Sequence, residues 1–79
     1  MDIKRELAEF IREHFAIGND SEFTDDVNLF DYGFVDSLGA IEIIDFIEDQ
    51  WKIEITQRDL TLYPMNSIEE MTEVIEGKL

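Results

Sequence analysis

The chain has 79 residues, of which 20 are acidic and six are basic, so its formal net charge at pH 7 is −14. A chain this short has one thin core, which predicts a single domain over residues 1–79 and favours a binding or carrying module over a self-sufficient enzyme. The acidic surface excludes nucleic acid and anionic membranes as natural partners and favours basic protein surfaces. With 44% hydrophobic residues, the chain is too apolar for a disordered acidic tail.

The composition also bears on the cellular location. The chain has no cysteine, so it has neither a disulfide framework nor a thiolate metal site. Its N-terminal residues lack the apolar centre of a signal peptide, and no apolar run is long enough to span a bilayer. We therefore expect a cytoplasmic monomer that does not insert into membranes.

The first predicted helix runs from Asp2 or Ile3 to about Phe15. Its apolar residues recur at helical spacing and form one stripe. Asp2 is placed to cap the first N–H groups, and Gly18 offers a left-handed residue after the end. The stripe consists of Ile3, Leu7, Phe10, Ile11 and His14.

A long connection follows, from Ile17 to Val35. It is rich in Asp, Asn, Ser and Thr, which compete with helix by bonding to the local backbone. Connections of this length are uncommon and often functional. Gly33 predicts a turn near its end. Four apolar residues are expected to hold the connection to the core: Phe23, Val27, Leu29 and Phe30.

The second helix is predicted from Ser37 to Gln50 or Trp51, with Asp36 as its N-cap. Ile43, Ile47 and Trp51 form a ridge at spacings of four residues. Further apolar residues make more than half of the circumference apolar. Such a helix is either buried on two sides or presents part of its apolar surface to a partner.

The rest of the chain predicts two further helices. An extended segment over residues 52–55 leads to a short helical turn within residues 56–62. A capping pattern from Thr56 to Asp59 begins this turn, and Pro64 ends it. The last helix begins with a capping box at Ser67 and Glu70 and ends at Gly77. We expect Ile55, Ile68, Met71, Val74 and Ile75 to face inward.

Ser37 is the residue with the clearest chemical potential. A nucleophilic serine needs a general base, and the single histidine, His14, is interpreted as a partly buried surface residue. No Gly-x-Ser-x-Gly turn surrounds Ser37. We therefore predict no catalytic residue. An exposed hydroxyl at a helix N-terminus suits an attachment point, because the helix dipole favours a phosphate there. The alternative is that Asp36 and Ser37 merely start a helix.

The acidic segment from Asp20 to Asp31 superficially resembles a calcium loop. Its sixth position is Asp25 where the turn requires glycine, and its twelfth is Asp31 where a bidentate glutamate is usual. The pattern therefore argues against a specific metal site, and we predict none.

The sequence around Ser37 is informative as a block. Residues 29–42 read LFDYGFVDSLGAIE, and this block resembles the modification site of the acyl and peptidyl carrier proteins. The similarity continues to Ile55 and into the last helix. The resemblance implies an all-α four-helix bundle of the acyl-carrier-protein type, with three longer helices, one short helix and a long first loop.

The resemblance also implies a function. Ser37 would accept 4′-phosphopantetheine from coenzyme A through a magnesium-dependent phosphopantetheinyl transferase. Asp36 would cap the helix and offer its carboxylate to the metal ion of that enzyme. An acyl- or aminoacyl-loading ligase or adenylating enzyme would load the arm, and a downstream synthase or transferase would unload it. The implied docking residues for these partners are Leu38, Ile41, Glu42, Asp45, Glu48 and Asp49.

The type of carrier is indicated by the residues before the serine. Phe34 and Val35 precede Asp36, which looks more like stand-alone D-alanyl carriers and discrete carriers of specialised metabolism than like fatty-acid carriers. Phe46 and Trp51 are predicted to fill space between helices, which favours small or aminoacyl cargo. The alternative function is an acidic helical interaction module without a prosthetic group.

Overall fold

Four helices make up the fold. The computed structural model describes residues 2–79, in which α1 spans Ile3–His14, α2 Ser37–Trp51, α3 Gln57–Leu62 and α4 Ile68–Lys78. No strand occurs within this range. The predicted all-α bundle, with three longer helices, one short helix and a long first loop, is therefore confirmed. Across the same residues, every helix falls short of the length and apolar character needed to cross a membrane.

Two of the helix starts follow the predicted capping patterns. The Asp2 carboxylate accepts a hydrogen bond from the Arg5 N–H at 3.1 Å at the start of α1. At the start of α3, the Thr56 hydroxyl accepts from the Asp59 N–H at 3.1 Å, and the Asp59 carboxylate accepts from the Thr56 N–H at 2.8 Å. These bonds satisfy N–H groups that have no partner within the helix.

The ends of α4 differ from the prediction in detail. The Ser67 hydroxyl accepts from the Glu70 N–H at 3.1 Å, as expected. The Glu70 carboxylate, however, accepts from the N–H of Asn66 at 2.9 Å, one residue earlier than a capping box requires. Gly77 does not end the helix, because α4 continues to Lys78.

The chain reverses after α1 through two left-handed residues. α1 ends at His14, and the first left-handed residue is Ala16, with φ of 54°, followed by Gly18 with φ of 69°. Arg12 holds this reversal, because its guanidinium donates to the Gly18 carbonyl. The same guanidinium lies 4.7 Å from the centre of the Phe23 ring, a cation–π distance. Arg12 therefore fastens the first part of the loop to α1.

One apolar cluster, to which every longer helix contributes, forms the core. α1 packs along α4, and the predicted ridge of α2 faces the interior. The loop residues expected to anchor it are buried or half-buried, and Ile55 is buried as expected. The side chains that are fully buried are Leu7, Ile11, Leu29, Ile43, Ile47, Ile68 and Ile75.

Aromatic rings fill the interface between α1 and α2. The rings of Phe10 and Phe46 are stacked, with centres 4.0 Å apart. Trp51 meets Phe46 edge-on at 5.7 Å. The Gln50 amide donates to the Glu6 carboxylate at 3.2 Å and links the same two helices. Stacked and edge-on pairs of this kind add stability beyond the area that they bury.

The short helix α3 is held differently, because none of its six residues is buried. The Lys78 ammonium of α4 lies 2.8 Å from the Asp59 carboxylate in a partly buried ion pair. Hydrogen bonds from Lys78 and from the Thr56 backbone lower the pKa of Asp59 to about 2, from an ordinary value of 3.8. Polar contacts thus hold α3 against the rest of the fold, whereas apolar burial holds the longer helices.

Replacement of Arg12 tests the attachment of the loop. We expect Arg12→Ala to destabilise the fold by about 1–2 kcal/mol, because a cation–π contact and a charge-assisted hydrogen bond are lost together. Chemical denaturation measures the change. Arg5→Ala is the matched control: it removes only an exposed pair with Glu9 and should cost less than about 0.5 kcal/mol. Equal losses in the two variants would contradict this account of Arg12.

The Asp59 carboxylate should make stability depend on pH in acid. Its pKa is lower in the folded state than in the unfolded state, so its stabilising contribution is present above pH 4 and is lost as the pH falls towards 2. We expect the wild type to lose more stability between pH 4 and pH 2 than Asp59→Asn does. Denaturation curves across this range measure the difference, and parallel pH profiles would refute it. Lys78→Met should reduce the slope in the same way.

Candidate functional site

Ser37 is exposed and occupies the first position of α2. Its neighbour Asp36 is the N-cap, as predicted, and the Asp36 carboxylate accepts from the Gly39 N–H at 2.7 Å. This bond uses one of the two carboxylate oxygens. The side chain of a first-turn residue projects away from the helix body, and the unpaired N–H groups of that turn favour an anionic group beside it.

A tight turn sets the position of this helix start. The Leu29 carbonyl accepts from the Phe34 N–H at 3.0 Å and from the Val35 N–H at 3.2 Å. Gly33 has φ of 77°, a conformation that side chains rarely adopt, and this confirms the predicted turn. Because Leu29 and Val35 are both buried, the turn is anchored at each end just before the serine.

The loop is also tied to the start of α4. The Leu29 N–H donates to the Asn66 carbonyl at 2.8 Å, and the Glu69 N–H donates to the Asp25 carbonyl at 2.9 Å. The Asn28 side chain accepts from two backbone N–H groups that follow it, each at 3.0 Å. The long loop is therefore a structured support for Ser37.

Aromatic rings extend this support to the surface. Tyr32, which is exposed, stacks on Phe34 with ring centres 6.1 Å apart. Phe34 meets Phe23 edge-on at 5.7 Å. The Phe23 ring is the one that the Arg12 guanidinium contacts. The row of rings connects the turn before Ser37 to the end of α1.

Gly39 permits a close approach between α1 and the first turn of α2. A Cβ atom at this position would lie 2.7 Å from Phe15 Cε1 and 2.9 Å from Val35 Cγ1, closer than real Cβ atoms come. Glycine is therefore required by packing, two residues after the serine. No local pattern in the sequence indicates this role, because the partner, Phe15, is 24 positions away.

All but one of the predicted docking residues are exposed on one side of α2. Leu38 and Ile41 are 68% and 57% exposed, which is unusual for large apolar side chains. Glu42, Asp45 and Asp49 are exposed as well. At 3.6 residues per turn, these five positions fall within about 100° of the helix circumference. We call Leu38, Ile41, Glu42, Asp45 and Asp49 the outer face.

Glu48 borders the outer face around the helix but does not share its exposure. It is half-buried, and its carboxylate accepts from the Ile55 N–H at 2.8 Å. The bond holds the extended segment after α2 in place. Glu48 thus contributes to the fold, whereas its docking role stays a prediction.

His14 is paired with the outer face. Its Nε2 atom lies 3.2 Å from Glu42 Oε2, and its ring stacks on Phe10 with centres 4.9 Å apart. The imidazole is therefore engaged in a contact between α1 and α2. Its partial exposure, 39% for the side chain, agrees with the interpretation as a surface histidine.

The acidic loop is not arranged as a metal site. Within residues 2–79, acidic and histidine side chains form no group of three or more that is placed to hold a metal ion. The Asp20 carboxylate accepts from the Glu22 N–H, and Thr24 donates to Asp26. These carboxylates cap local turns of the loop.

An apolar cavity of about 260 Å³ lies between α2 and α3. Its walls include neither Phe46, which stacks on Phe10 of α1, nor Trp51, which meets Phe46 edge-on. The two aromatic side chains that were expected to exclude long cargo therefore do not fill this cavity. The lining residues are Phe30, Ala40, Ile43, Ile44, Leu60, Tyr63, Pro64, Met65, Asn66 and Met71.

Comparisons with known proteins define the family. Residues 3–75 match the family model described as phosphopantetheine attachment site. The D-alanyl carrier protein of Streptococcus sanguinis (strain SK36) is 40% identical over 55 residues, which span 70% of this chain and 67% of that protein. No solved structure gives a significant match. The chain belongs to the phosphopantetheine-attachment family of carrier proteins, as the sequence block predicted.

Members of this family share a prosthetic group and general types of partner. The family's prosthetic group is 4′-phosphopantetheine, and its members are generally not catalysts. They interact with modifying transferases and ligases. The residues present here fit such a group, because an exposed hydroxyl stands at the start of a capped helix.

Replacement of Gly39 tests the packing beneath the serine. We expect Gly39→Ala to lower stability by about 1–3 kcal/mol, because the new methyl group overlaps Phe15 and Val35, despite the better helix propensity of alanine. Thermal or urea denaturation measures the change, and Phe15→Leu should partly restore stability.

Gly77→Ala is the matched control in α4. Nothing lies within 4 Å of the Cβ position there, so the variant should be stabilised by up to about 1 kcal/mol. A stabilised Gly39→Ala would show that the contact with Phe15 is not restrictive.

Proposed function

We propose that Ser37 is the attachment residue and that the protein is a stand-alone carrier of small aminoacyl groups, of which D-alanyl is the leading example. The observation that carries the first part is the exposed Ser37 hydroxyl at the start of α2, held by the Leu29 turn. The dipole of α2 stabilises a phosphodiester at this position by about 0.3–1 kcal/mol.

Ser37 and Asp36 have different roles in the attachment reaction. The Ser37 oxygen forms a bond to phosphorus of coenzyme A, its proton passes to the transferase, and adenosine 3′,5′-bisphosphate leaves. Asp36 keeps the helix start rigid with one carboxylate oxygen and offers the other to the transferase's metal ion. When bound, the arm supplies a terminal thiol that holds cargo as a thioester, which a chain without cysteine cannot supply itself.

The outer face is proposed as the docking surface. Its exposed leucine and isoleucine supply apolar contacts, and its three carboxylates attract basic partner surfaces and raise the association rate. The partners are a phosphopantetheinyl transferase, a loading ligase or adenylating enzyme, and a downstream synthase or transferase. We place the protein in the cytoplasm as a monomer.

The likeness to a D-alanyl carrier protein supports the aminoacyl cargo. An apolar acyl chain is the second candidate, and the cavity between α2 and α3 is the observation that favours it. An interaction module without a prosthetic group is disfavoured by the family match over residues 3–75.

Modification of Ser37 is tested by intact mass. Incubation with coenzyme A, magnesium and a broad-specificity phosphopantetheinyl transferase should add one phosphopantetheine to the wild type and none to Ser37→Ala. Ser37→Ala should change stability by less than about 0.5 kcal/mol, because the side chain is exposed. Ser21→Ala, which removes another exposed serine, is the matched control and should be modified normally. Modification of Ser37→Ala would overturn the assignment.

The same chemistry distinguishes the two cargo classes. The transferase is supplied with acetyl- or octanoyl-coenzyme A, and the loss of each thioester in hydroxylamine is followed by mass. If small groups are the natural cargo, the acetyl and octanoyl thioesters should be lost at equal rates. Slower loss of the octanoyl form, abolished by Ile44→Trp in the cavity wall, would favour the apolar acyl chain instead.

A further inference from the structure

His14 is the one histidine of the chain, and it contacts the outer face from a neighbouring helix. It is the last residue of α1. Its ring stacks on Phe10, which stacks in turn on Phe46 of α2, and it meets Phe15 edge-on at 4.9 Å. Neighbouring rings on two sides restrict the plane of the imidazole, and its Nε2 atom lies 3.2 Å from Glu42 Oε2.

Glu42 has a special place among the acids of the outer face. It follows Ser37 by five residues, so it lies about 7.5 Å further along the axis of α2. Asp45 and Asp49 lie one and two turns beyond it. Glu42 is thus the outer-face carboxylate nearest to Ser37 along the helix.

Few other charges act on the imidazole. Glu42 is the charged group that contacts it from α2, and Asp45 stands one turn further on. On α1 its neighbours are Glu13 and Arg12, and the Arg12 guanidinium is committed to Gly18 and Phe23. Residues 15–18 carry no charge.

Protonation of His14 changes what a partner meets. A histidine gains its proton in mildly acidic solution. The imidazolium then neutralises Glu42 and holds its carboxylate towards α1, in competition with a basic residue of the partner. We propose that His14 is a positioning residue that sets the availability of Glu42 for docking, so that partners bind the carrier more weakly in mild acid. This inference rests on the docking role proposed for the outer face.

The test is the KM of a phosphopantetheinyl transferase for the full-length carrier, measured at pH 8 and pH 6. Each variant is compared with the wild type at the same pH, which removes the titration of the enzyme itself. We expect His14→Phe, which keeps a stacked ring, and His14→Gln, which does not titrate, to match the wild type at pH 8. At pH 6 both should show a KM about two- to fivefold lower than the wild type, the range of an exposed ion pair, with kcat unchanged.

A double-mutant cycle connects the effect to Glu42. In a Glu42→Gln background, His14→Phe should not change KM at either pH, and Glu42→Gln alone should raise KM at pH 8. Glu76→Gln on α4 is the matched charge control and should leave the pH dependence intact. Circular dichroism of each variant confirms that the helices persist.

Three results would overturn the inference. They are equal KM values for wild type and His14→Phe at pH 6, an effect of His14→Phe that persists without Glu42, and a Glu42→Gln variant with wild-type KM at pH 8. The last result would also refute docking by Glu42, while leaving attachment at Ser37 standing. A wild type that gains no phosphopantetheine would refute the attachment itself, and a wrong cargo assignment would affect none of these measurements.

Discussion

The position of Ser37, the proposed attachment residue, depends on Leu29. Its side chain is fully buried, its N–H donates to the Asn66 carbonyl, and its own carbonyl accepts from both Phe34 and Val35. One residue therefore fastens the loop to the core, to the start of α4 and to the turn that feeds α2. These links together set the position of the segment that begins at Gly33, and with it the N-terminus of α2.

The excess of negative charge explains how the few cations are used. With 20 acids and six bases, attractive ion pairs cannot hold the fold generally, and apolar burial supplies its cohesion. Two basic residues and the histidine nonetheless stand at joints between elements. Arg12 joins α1 to the loop, Lys78 joins α4 to α3, and His14 joins α1 to α2. Pairs at joints have more effect than pairs within one helix, since they restrain separate segments.

Local patterns predicted the helices well because the signals are local. The residues that follow each cap identified three of them in the sequence: Asp36, Thr56 and Ser67. The ridge of α2 was identified from the spacing of its apolar residues. The prediction that α4 ends at Gly77 was wrong, because a glycine can remain helical when no other group competes for its backbone hydrogen bonds.

What the sequence did not predict depends on pairs of distant residues. The Phe15–Gly39 contact, the His14–Glu42 pair and the Glu48–Ile55 bond each join segments whose approach is set by the packing of whole helices. For the same reason Phe46 and Trp51 were assigned to space between helices without the knowledge of which helices. Phe46 stacks on Phe10 of α1 and Trp51 meets Phe46 edge-on, and neither residue lines the cavity.

The two sides of α2 meet different requirements, and their connection explains how a small carrier achieves precision. The inner ridge of Ile43 and Ile47 is fully buried and fixes the helix to the core. The outer face is exposed and bears the proposed docking contacts. Ser37 belongs to the same rigid helix, so an enzyme that docks on the outer face meets the serine at a defined distance and angle. Precision then comes from the helix, and the only mobile part that the function needs is the arm.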